Sequence, residues 1–181
     1  MKSRITALLT ALVLMGSAAI AAPAAPRDQA LDQVRLTERI RKELVTLPWY
    51  GVFDNLAFRL DGDTVTLYGQ VVRPSTRADA ERRVDRLPGV EKVINRIEVL
   101  PLSPFDDELR MRTLRAVFNT GGLYRYGMGA NPSIHIIVNR GNITLEGVVA
   151  SRMDAQLAWM AASGVPGAFS VTNNLRIEQA S

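Results

Sequence analysis

The sequence contains one segment twice, and this duplication limits the possible folds more than any other feature. Residues 64–72 read Thr-Val-Thr-Leu-Tyr-Gly-Gln-Val-Val, and residues 142–150 read Asn-Ile-Thr-Leu-Glu-Gly-Val-Val-Ala. A constant shift of about 78 residues aligns the two copies without a gap. A Pro-Gly pair follows each copy, at Pro88 and at Pro166, and a Val-x-Asn run follows each pair. Such tandem copies indicate two small, similar modules.

Each copy has the pattern of a helix, two strands, a second helix and a third strand. The first copy predicts a helix over 32–47, strands over 55–60 and 64–72, a helix over 75–87 and a strand over 93–100. The second copy predicts a helix over 106–119, strands over 133–139 and 142–150, a helix over 151–163 and a strand over 170–178. Asp61-Gly62 is a strong hairpin signal, and Ser75 is the expected N-cap of its helix. The predicted fold class is α+β: two tandem α-β-β-α-β modules, each a three-stranded mixed sheet with two helices on one face.

The first 21 residues have the three parts of a secretory signal peptide. Lys2 and Arg4 form a positive head, an apolar run follows, and small residues precede Ala22. We therefore expect export to the periplasm with cleavage after Ala21. The expected segments after the signal peptide (1–21) are a flexible tether over 22–31, a first domain over 32–100, a linker over 101–105 and a second domain over 106–178. Because the chain has no cysteine, neither a lipid anchor nor a disulfide is expected, and the mature chain has no predicted transmembrane segment.

The charge of the chain is too small to predict nucleic-acid binding. The whole sequence has a formal net charge of +4. Removal of Lys2 and Arg4 with the signal peptide leaves about +2, spread over roughly 160 residues.

The repeated motif resembles the BON domain, a small bacterial module named after osmotically inducible and nodulation proteins. The resemblance spans residues 34–177. It rests on Gly62, Val65, Leu67, Gly69, Val71, Gly89, Val90, Val93 and Asn95 in the first copy, and on Gly141, Ile143, Leu145, Gly147, Val149, Gly167, Val171 and Asn173 in the second. It implies a periplasmic location, a role in envelope maintenance or osmotic stress, and non-catalytic binding of phospholipid surfaces or envelope proteins. The motif contains no ligand-binding residue, and its glycines are expected to be structural.

Residues suited to catalysis or metal binding are scarce. The chain has one histidine and no cysteine, whereas metal and nucleophilic sites need several converging side chains. His135 is expected to be a half-exposed strand residue on the face opposite Ile134 and Ile136. A hairpin turn explains Asp61 and Asp63 better than a calcium loop, because the later ligands are missing. We therefore expect no enzyme activity, no catalytic residue, no metal and no cofactor.

In both copies, the loop between the first helix and the first strand is rich in aromatic side chains. The candidate binding residues in these loops are Trp49, Tyr50, Phe53, Tyr124, Arg125, Tyr126 and Met128. Tyr and Trp combine an apolar ring with a polar tip, which suits a membrane interface or a protein surface. Arg125, between two tyrosines, suits a lipid phosphate. The alternative is that the rings complete the core of a small domain.

The second helix of each copy differs on its outer face. Ser75, Asp79 and Arg82 in the first copy correspond to Met153, Leu157 and Met160 in the second. A helix that is apolar on two sides must bury the second side against something. Two explanations stay open: the two domains dock through this stripe, or the stripe binds a membrane, a client protein or a second copy of the chain.

Together, these features predict a non-catalytic periplasmic protein of envelope maintenance or osmotic stress that associates with anionic phospholipid surfaces. The alternative is a chaperone-like or assembly factor that binds proteins through Met153, Leu157 and Met160. The sequence does not determine the oligomeric state.

Overall fold

The computed structural model describes residues 26–129 and 131–178. The predicted signal peptide and the predicted tether up to residue 25 lie outside the described residues. The helices are α1 (Pro26–Val45), α2 (Pro74–Asp85), α3 (Pro104–Phe118) and α4 (Arg152–Ser163), with a short 3-10 helix at Leu123–Gly127. The strands are β1 (Asn55–Asp61), β2 (Thr64–Val71), β3 (Lys92–Asn95), β4 (Glu98–Val99), β5 (Ile134–Asn139), β6 (Asn142–Val149) and β7 (Ser170–Ile177).

These elements form two modules of the same order, one from α1 to β4 and one from α3 to β7. In the first module, β2 is central, antiparallel to β1 and parallel to β3 and β4. In the second, β6 is central, antiparallel to β5 and parallel to β7. The predicted α+β class of two α-β-β-α-β modules is confirmed. The third strand of the first module is interrupted at Arg96-Ile97, which divides it into β3 and β4.

Each module has its own core between the sheet and the two helices. In the first core, Ile40 of α1 and Val84 of α2 pack with Leu67 of β2, and all three are fully buried. The corresponding elements contribute Val117, Ala162 and Leu145 to the second core. Complete burial of one large aliphatic side chain contributes about 1.5–3 kcal/mol to folding, so these contacts hold both helices on one face of each sheet.

Two helix starts differ from the sequence prediction. Helix α1 begins at Pro26 and not near Asp32, so residues 26–31 are helical where a flexible tether is predicted. Helix α2 has Arg73 and not Ser75 at its N-cap. The proline at position 74 explains this start, because its fixed φ and missing N–H suit the first position of a helix.

The repeated glycine in each central strand allows two backbones to approach closely. Gly69 and Gly147 have φ angles of +114° and +121°. A Cβ atom at these positions would lie 1.9 Å from the carbonyl oxygen of Asn55 and 2.0 Å from that of Ser133. Only glycine fits such a position, so these motif glycines are structural.

The asparagine of each Val-x-Asn run connects the third strand to the second helix. In the second module, Asn173 Nδ2 donates to the carbonyl oxygen of Ala155 at 3.0 Å, and Asn173 Oδ1 accepts from the N–H of Leu175 at 3.2 Å. Asn95 makes the equivalent contacts in the first module, at 3.2 and 3.1 Å. This motif position therefore stabilises the module.

Candidate binding surface at the junction of the modules

The loop that joins α1 to β1, residues 46–54, reaches from the first module to the second; we call it the first loop. The backbone reverses at Trp49, which has a φ of +70°. The carbonyl oxygen of Val52 then accepts a hydrogen bond from the N–H of Ile136 in β5, at 2.7 Å. The side chains of Val52 and Phe53 pack against the core of the second module. The first loop therefore covers the outer edge of β5, and Phe53 belongs to the junction between the modules.

His135 lies beneath the first loop, with only 9% of its surface exposed. Its Nδ1 is 3.2 Å from the carbonyl oxygen of Gly51, and its Nε2 is 3.5 Å from the hydroxyl of Tyr50. A neutral ring satisfies both contacts when Nδ1 donates and Nε2 accepts. The expectation of a half-exposed His135 was wrong. Strand alternation shows only that this side chain faces away from the core of its own module, and the first loop fills that side.

Burial keeps the side chains of this junction neutral or tightly paired. Desolvation raises the pKa of Tyr50 to about 12 and lowers the pKa of His135 below its usual range, so both are neutral at pH 7. The buried carboxylate of Asp54 accepts from the N–H of Gly51 at 3.0 Å and from that of Val72 at 2.8 Å. Desolvation nevertheless raises the pKa of Asp54. Since each polar atom of these three side chains has a partner within the chain, the cluster suits a structural joint.

The loop between α3 and β5, which we call the second loop, carries Tyr126 into the core of the second module. Tyr126 is 8% exposed, and its hydroxyl accepts from the N–H of Ala150 at 2.9 Å and donates to Asp154 at 3.0 Å. Arg125 Nη2 lies 2.9 Å from the other oxygen of Asp154. The pKa of Asp154 lies below its usual value, mainly because the Ser151 hydroxyl donates a hydrogen bond to its carboxylate. Tyr126 is thus a core residue, and a carboxylate of the chain itself pairs with Arg125.

The two modules satisfy the same backbone N–H group with different side chains. This group directly follows the central strand, at Val72 in the first module and at Ala150 in the second. Asp54 accepts from it in the first module and the Tyr126 hydroxyl in the second. Both hydrogen bonds are part-buried, and an N–H that is shielded from water and lacks an acceptor is costly, so each loop supplies one. The sequence comparison missed Asp54 because the two loops do not align with each other.

Among the predicted loop residues, Arg125 is exposed, and so are three large apolar or aromatic side chains: Trp49, Tyr124 and Met128. Trp49 is 67% exposed, and the Cζ of Arg73 lies 4.8 Å from its ring centroid in a cation–π contact. Tyr124 lines a cavity of about 410 Å³ together with Gly51, Val52, Leu114, Phe118, Asn119, Gly127, Gly129 and Pro132. The cavity is built from both loops, so the structure brings the two predicted aromatic loops together. We call these three exposed side chains and the cavity the junction surface.

The apolar stripe on α4 is exposed. Met153 and Met160 reach solvent, Met160 with 57% of its surface, whereas Leu157 is half-buried against the second core. The two modules meet through the first loop and β5, so the explanation that they dock through this stripe was wrong. We call Met153, Leu157 and Met160 the α4 stripe.

Two structural features are absent from residues 26–129 and 131–178. No group of three or more His, Asp or Glu side chains there is arranged to hold a metal ion. In the same part of the chain, no helix combines the length and the apolar character needed to cross a bilayer.

Comparison with protein families decides the relationship of the chain. The model of the BON domain matches residues 32–101 and residues 115–179. The chain belongs to the BON-domain family. The predicted resemblance is thereby confirmed in both copies. Membership of the BON-domain family suggests a periplasmic or envelope-associated role.

Other comparisons add little about function. No curated protein matches this BON-domain chain. Among solved structures, it is similar to the C-terminal domain of CdsD, the structural protein of the type III secretion system of Chlamydia trachomatis. The identity is 11% and the TM-score 0.33, with 82% of this chain and 100% of that chain covered. A second CdsD structure gives the same identity and TM-score, with 81% and 94% covered. Similarity at this level supports no conclusion about what the BON-domain chain binds.

Proposed function

We propose that this BON-domain protein is exported to the periplasm by its signal peptide and associates there, without catalysis, with anionic phospholipid surfaces. Its biological role would be envelope maintenance or osmotic stress. The observation that carries the proposal is the junction surface: two loops distant in the sequence build one cavity lined by Tyr124, and the same two loops expose Trp49 and Met128.

The chemistry of this surface suits the interface of a bilayer. Trp49 and Tyr124 can place their rings among acyl chains and keep their polar atoms near the headgroups. Met128 adds a flexible apolar side chain. The guanidinium of Arg73, held against Trp49, is attracted by anionic headgroups, and such a charge is worth about 1 kcal/mol near the surface. Arg125 contributes less than expected, because Asp154 already pairs with it.

Co-sedimentation with vesicles tests this proposal. We expect the protein to bind vesicles that contain phosphatidylglycerol, more weakly at high salt, and not to bind pure phosphatidylcholine vesicles. Trp49→Ser and Tyr124→Ser should each reduce binding at least about tenfold, since burial of one such side chain is worth about 1.5–3 kcal/mol. Phe169→Ser is the matched control: Phe169 is exposed, but it lies beside Gly141, at the opposite end of β5 from the second loop. Absence of binding at low salt, or an equal loss in the control, would refute the proposal.

The α4 stripe supports a second candidate, a chaperone-like or assembly factor that binds proteins. Its two methionines are exposed although the repeat places polar residues, Ser75 and Arg82, at the same positions of α2. Flexible methionines suit surfaces that accept varied partners.

Suppression of aggregation separates the two candidates. We expect the protein to slow the aggregation of thermally unfolding citrate synthase. Met160→Glu should abolish this effect. Because the position is exposed, the free energy of unfolding measured in urea should stay within about 0.5 kcal/mol of the wild-type value. Arg82→Lys, at the equivalent position of α2, is the control variant. A Met160→Glu variant that is folded and fully active would exclude the stripe.

A further inference from the structure

Strand β1 is an edge strand with a free row of backbone groups. Among the described residues it pairs only with β2, and the hairpin register places Asp61 opposite Thr64. Because hydrogen-bonded and non-hydrogen-bonded pairs alternate in an antiparallel ladder, Leu56, Phe58 and Leu60 direct their N–H and C=O groups away from β2. The Tyr50 hydroxyl hydrogen-bonds to the backbone of Leu56. Among residues 26–129 and 131–178, no hydrogen-bond partner is found for the outward groups of Phe58 and Leu60.

The second module shows what such an edge accepts. Ile136 is the repeat counterpart of Phe58, since it pairs with Leu145 of β6 just as Phe58 pairs with Leu67 of β2. The outward N–H of Ile136 donates to the carbonyl oxygen of Val52 at 2.7 Å. The chain thus covers one of two equivalent edges with a turn of the first loop, in which the N–H of Asp54 donates to the carbonyl oxygen of Gly51 at 3.1 Å, and within the described residues it leaves the other edge uncovered.

The uncovered edge forms one wall of a groove of about 970 Å³ between the modules. Residues from Asn55 to Leu60 line it on one side, and α1 contributes Thr37, Arg41, Leu44 and Val45. The opposite wall is the outer face of the second sheet, with His135, Glu146, Val148, Asn174 and Arg176. Seven residues of β1 extend over about 23 Å, so the groove accommodates a strand of similar length.

The charges of the groove indicate the character of its occupant. Three arginines line it against one glutamate. Glu146 accepts from Asn174 at 2.7 Å, and Arg59 is 2.8 Å from Asp61. Arg176 lies on one wall. On the other wall, the guanidinium of Arg41 lies 3.9 Å from the carboxylate of Glu38, and both side chains are exposed. The lining therefore carries three positive charges against one negative charge: Arg41 and Arg59 make the first wall positive, whereas Arg176 and Glu146 balance on the second.

We propose that the β1 edge and this groove bind an extended, acidic polypeptide segment of a partner protein by strand addition. A partner backbone supplies the acceptors and donors that Phe58 and Leu60 lack, and its acidic side chains meet Arg41 and Arg176. A lipid acyl chain cannot form hydrogen bonds with these groups. The backbone N–H and C=O groups of a helical partner are already paired within the helix. The proposal is independent of the junction surface and the α4 stripe, since it uses none of their side chains.

Hydrogen exchange tests the proposal directly, with reduced, carboxymethylated α-lactalbumin as a permanently unfolded, acidic probe. In the free protein, we expect the amides of Phe58 and Leu60 to exchange faster than those of Ala57 and Arg59, which face β2. The probe should slow exchange at Phe58 and Leu60 at least tenfold and leave Ala57 and Arg59 unchanged. Binding without this protection, or no binding at low salt, would overturn the proposal. Protection that appears on raising the protein concentration without the probe would also overturn it, in favour of a second copy as occupant.

A pair of variants tests the same contact in binding. Phe58→Pro removes an N–H that points into the groove, at a position where edge strands tolerate proline, and it also removes a phenyl ring that packs against the first core. Phe58→Val loses the same ring but keeps the N–H, so the comparison of the two variants isolates the N–H. Fluorescence anisotropy should show at least a tenfold loss of affinity for the probe with proline and less than a twofold change with valine. Equal affinities of the two folded variants would contradict strand addition, and Trp49→Ser should leave probe binding unchanged. If the proline variant does not fold, the exchange experiment on the wild type decides.

Discussion

Removal of one buried hydroxyl, in Tyr126→Phe, tests whether the second loop holds the second module together. The hydroxyl accepts from the N–H of Ala150 at 2.9 Å and donates to Asp154 at 3.0 Å. Phenylalanine fills the same space, so no cavity adds to the effect. The unpaired N–H of Ala150 should cost about 1–3 kcal/mol, and loss of the bond to a carboxylate should add about 1 kcal/mol because Ser151 and Arg125 still contact Asp154. We expect a total destabilisation of about 2–4 kcal/mol.

The two tryptophans make this measurement specific to one module. The first module contains Trp49 and the second contains Trp159, so Trp49→Phe leaves a single fluorescent reporter in the second module. With a urea m-value of about 2 kcal/mol/M, Tyr126→Phe should lower the midpoint of the Trp159 transition by roughly 1–2 M. Tyr124→Phe is the control, because the ring of Tyr124 is exposed and the change should stay within about 0.5 kcal/mol. A change below 0.5 kcal/mol in Tyr126→Phe, or the same change in both variants, would refute the assignment.

Three further predictions concern the junction and the motif. Because burial lowers the pKa of His135, the stability that its neutral form provides is present above about pH 6.5 and is lost as the pH falls through the lowered folded-state pKa. In urea titrations from pH 7.5 to 4.5, His135→Gln should lack this pH-dependent part of the free energy of unfolding. A pH profile equal to that of the wild type would contradict the prediction. Asn173→Ala breaks the 3.0 Å bond to Ala155 and should destabilise the chain by about 1–2 kcal/mol, measured by thermal unfolding. Gly147→Ala places a Cβ 2.0 Å from the carbonyl oxygen of Ser133 and should cost about 3 kcal/mol or more, so a thermally unchanged variant would exclude the close approach.

The sequence predicted the modules well because their signals are local and repeated. The hairpin turns at Gly62 and Gly141, the helix-stopping Pro-Gly pairs and the alternation in the central strands act within a few residues, and each appears twice. The start of α1 was less predictable, because the Pro- and Ala-rich composition before Asp32 resembles a linker although residues 26–31 are helical.

The contacts between the modules were not predictable from these patterns. Alternation assigns His135 to the face away from its own core, but it cannot show that Val52 and Gly51 of another module cover that face. Tyr126 and Trp49 are both aromatic loop residues, yet one is buried and the other exposed. The difference comes from partners distant in the sequence, such as Ala150, which no local pattern reveals.

The cover that the first loop places over β5 has a consequence for handling and storage of the protein. That loop and that strand are joined by a tether inside one molecule, so the effective concentration of the loop is high and the contact closes within the chain. Acid, heat or denaturant that detaches the first loop exposes the outer edge of β5, while the other edge of β5 stays paired with β6. At high protein concentration, we expect the loop of another molecule to take the same position, and reciprocal exchange of loops would then produce entwined dimers.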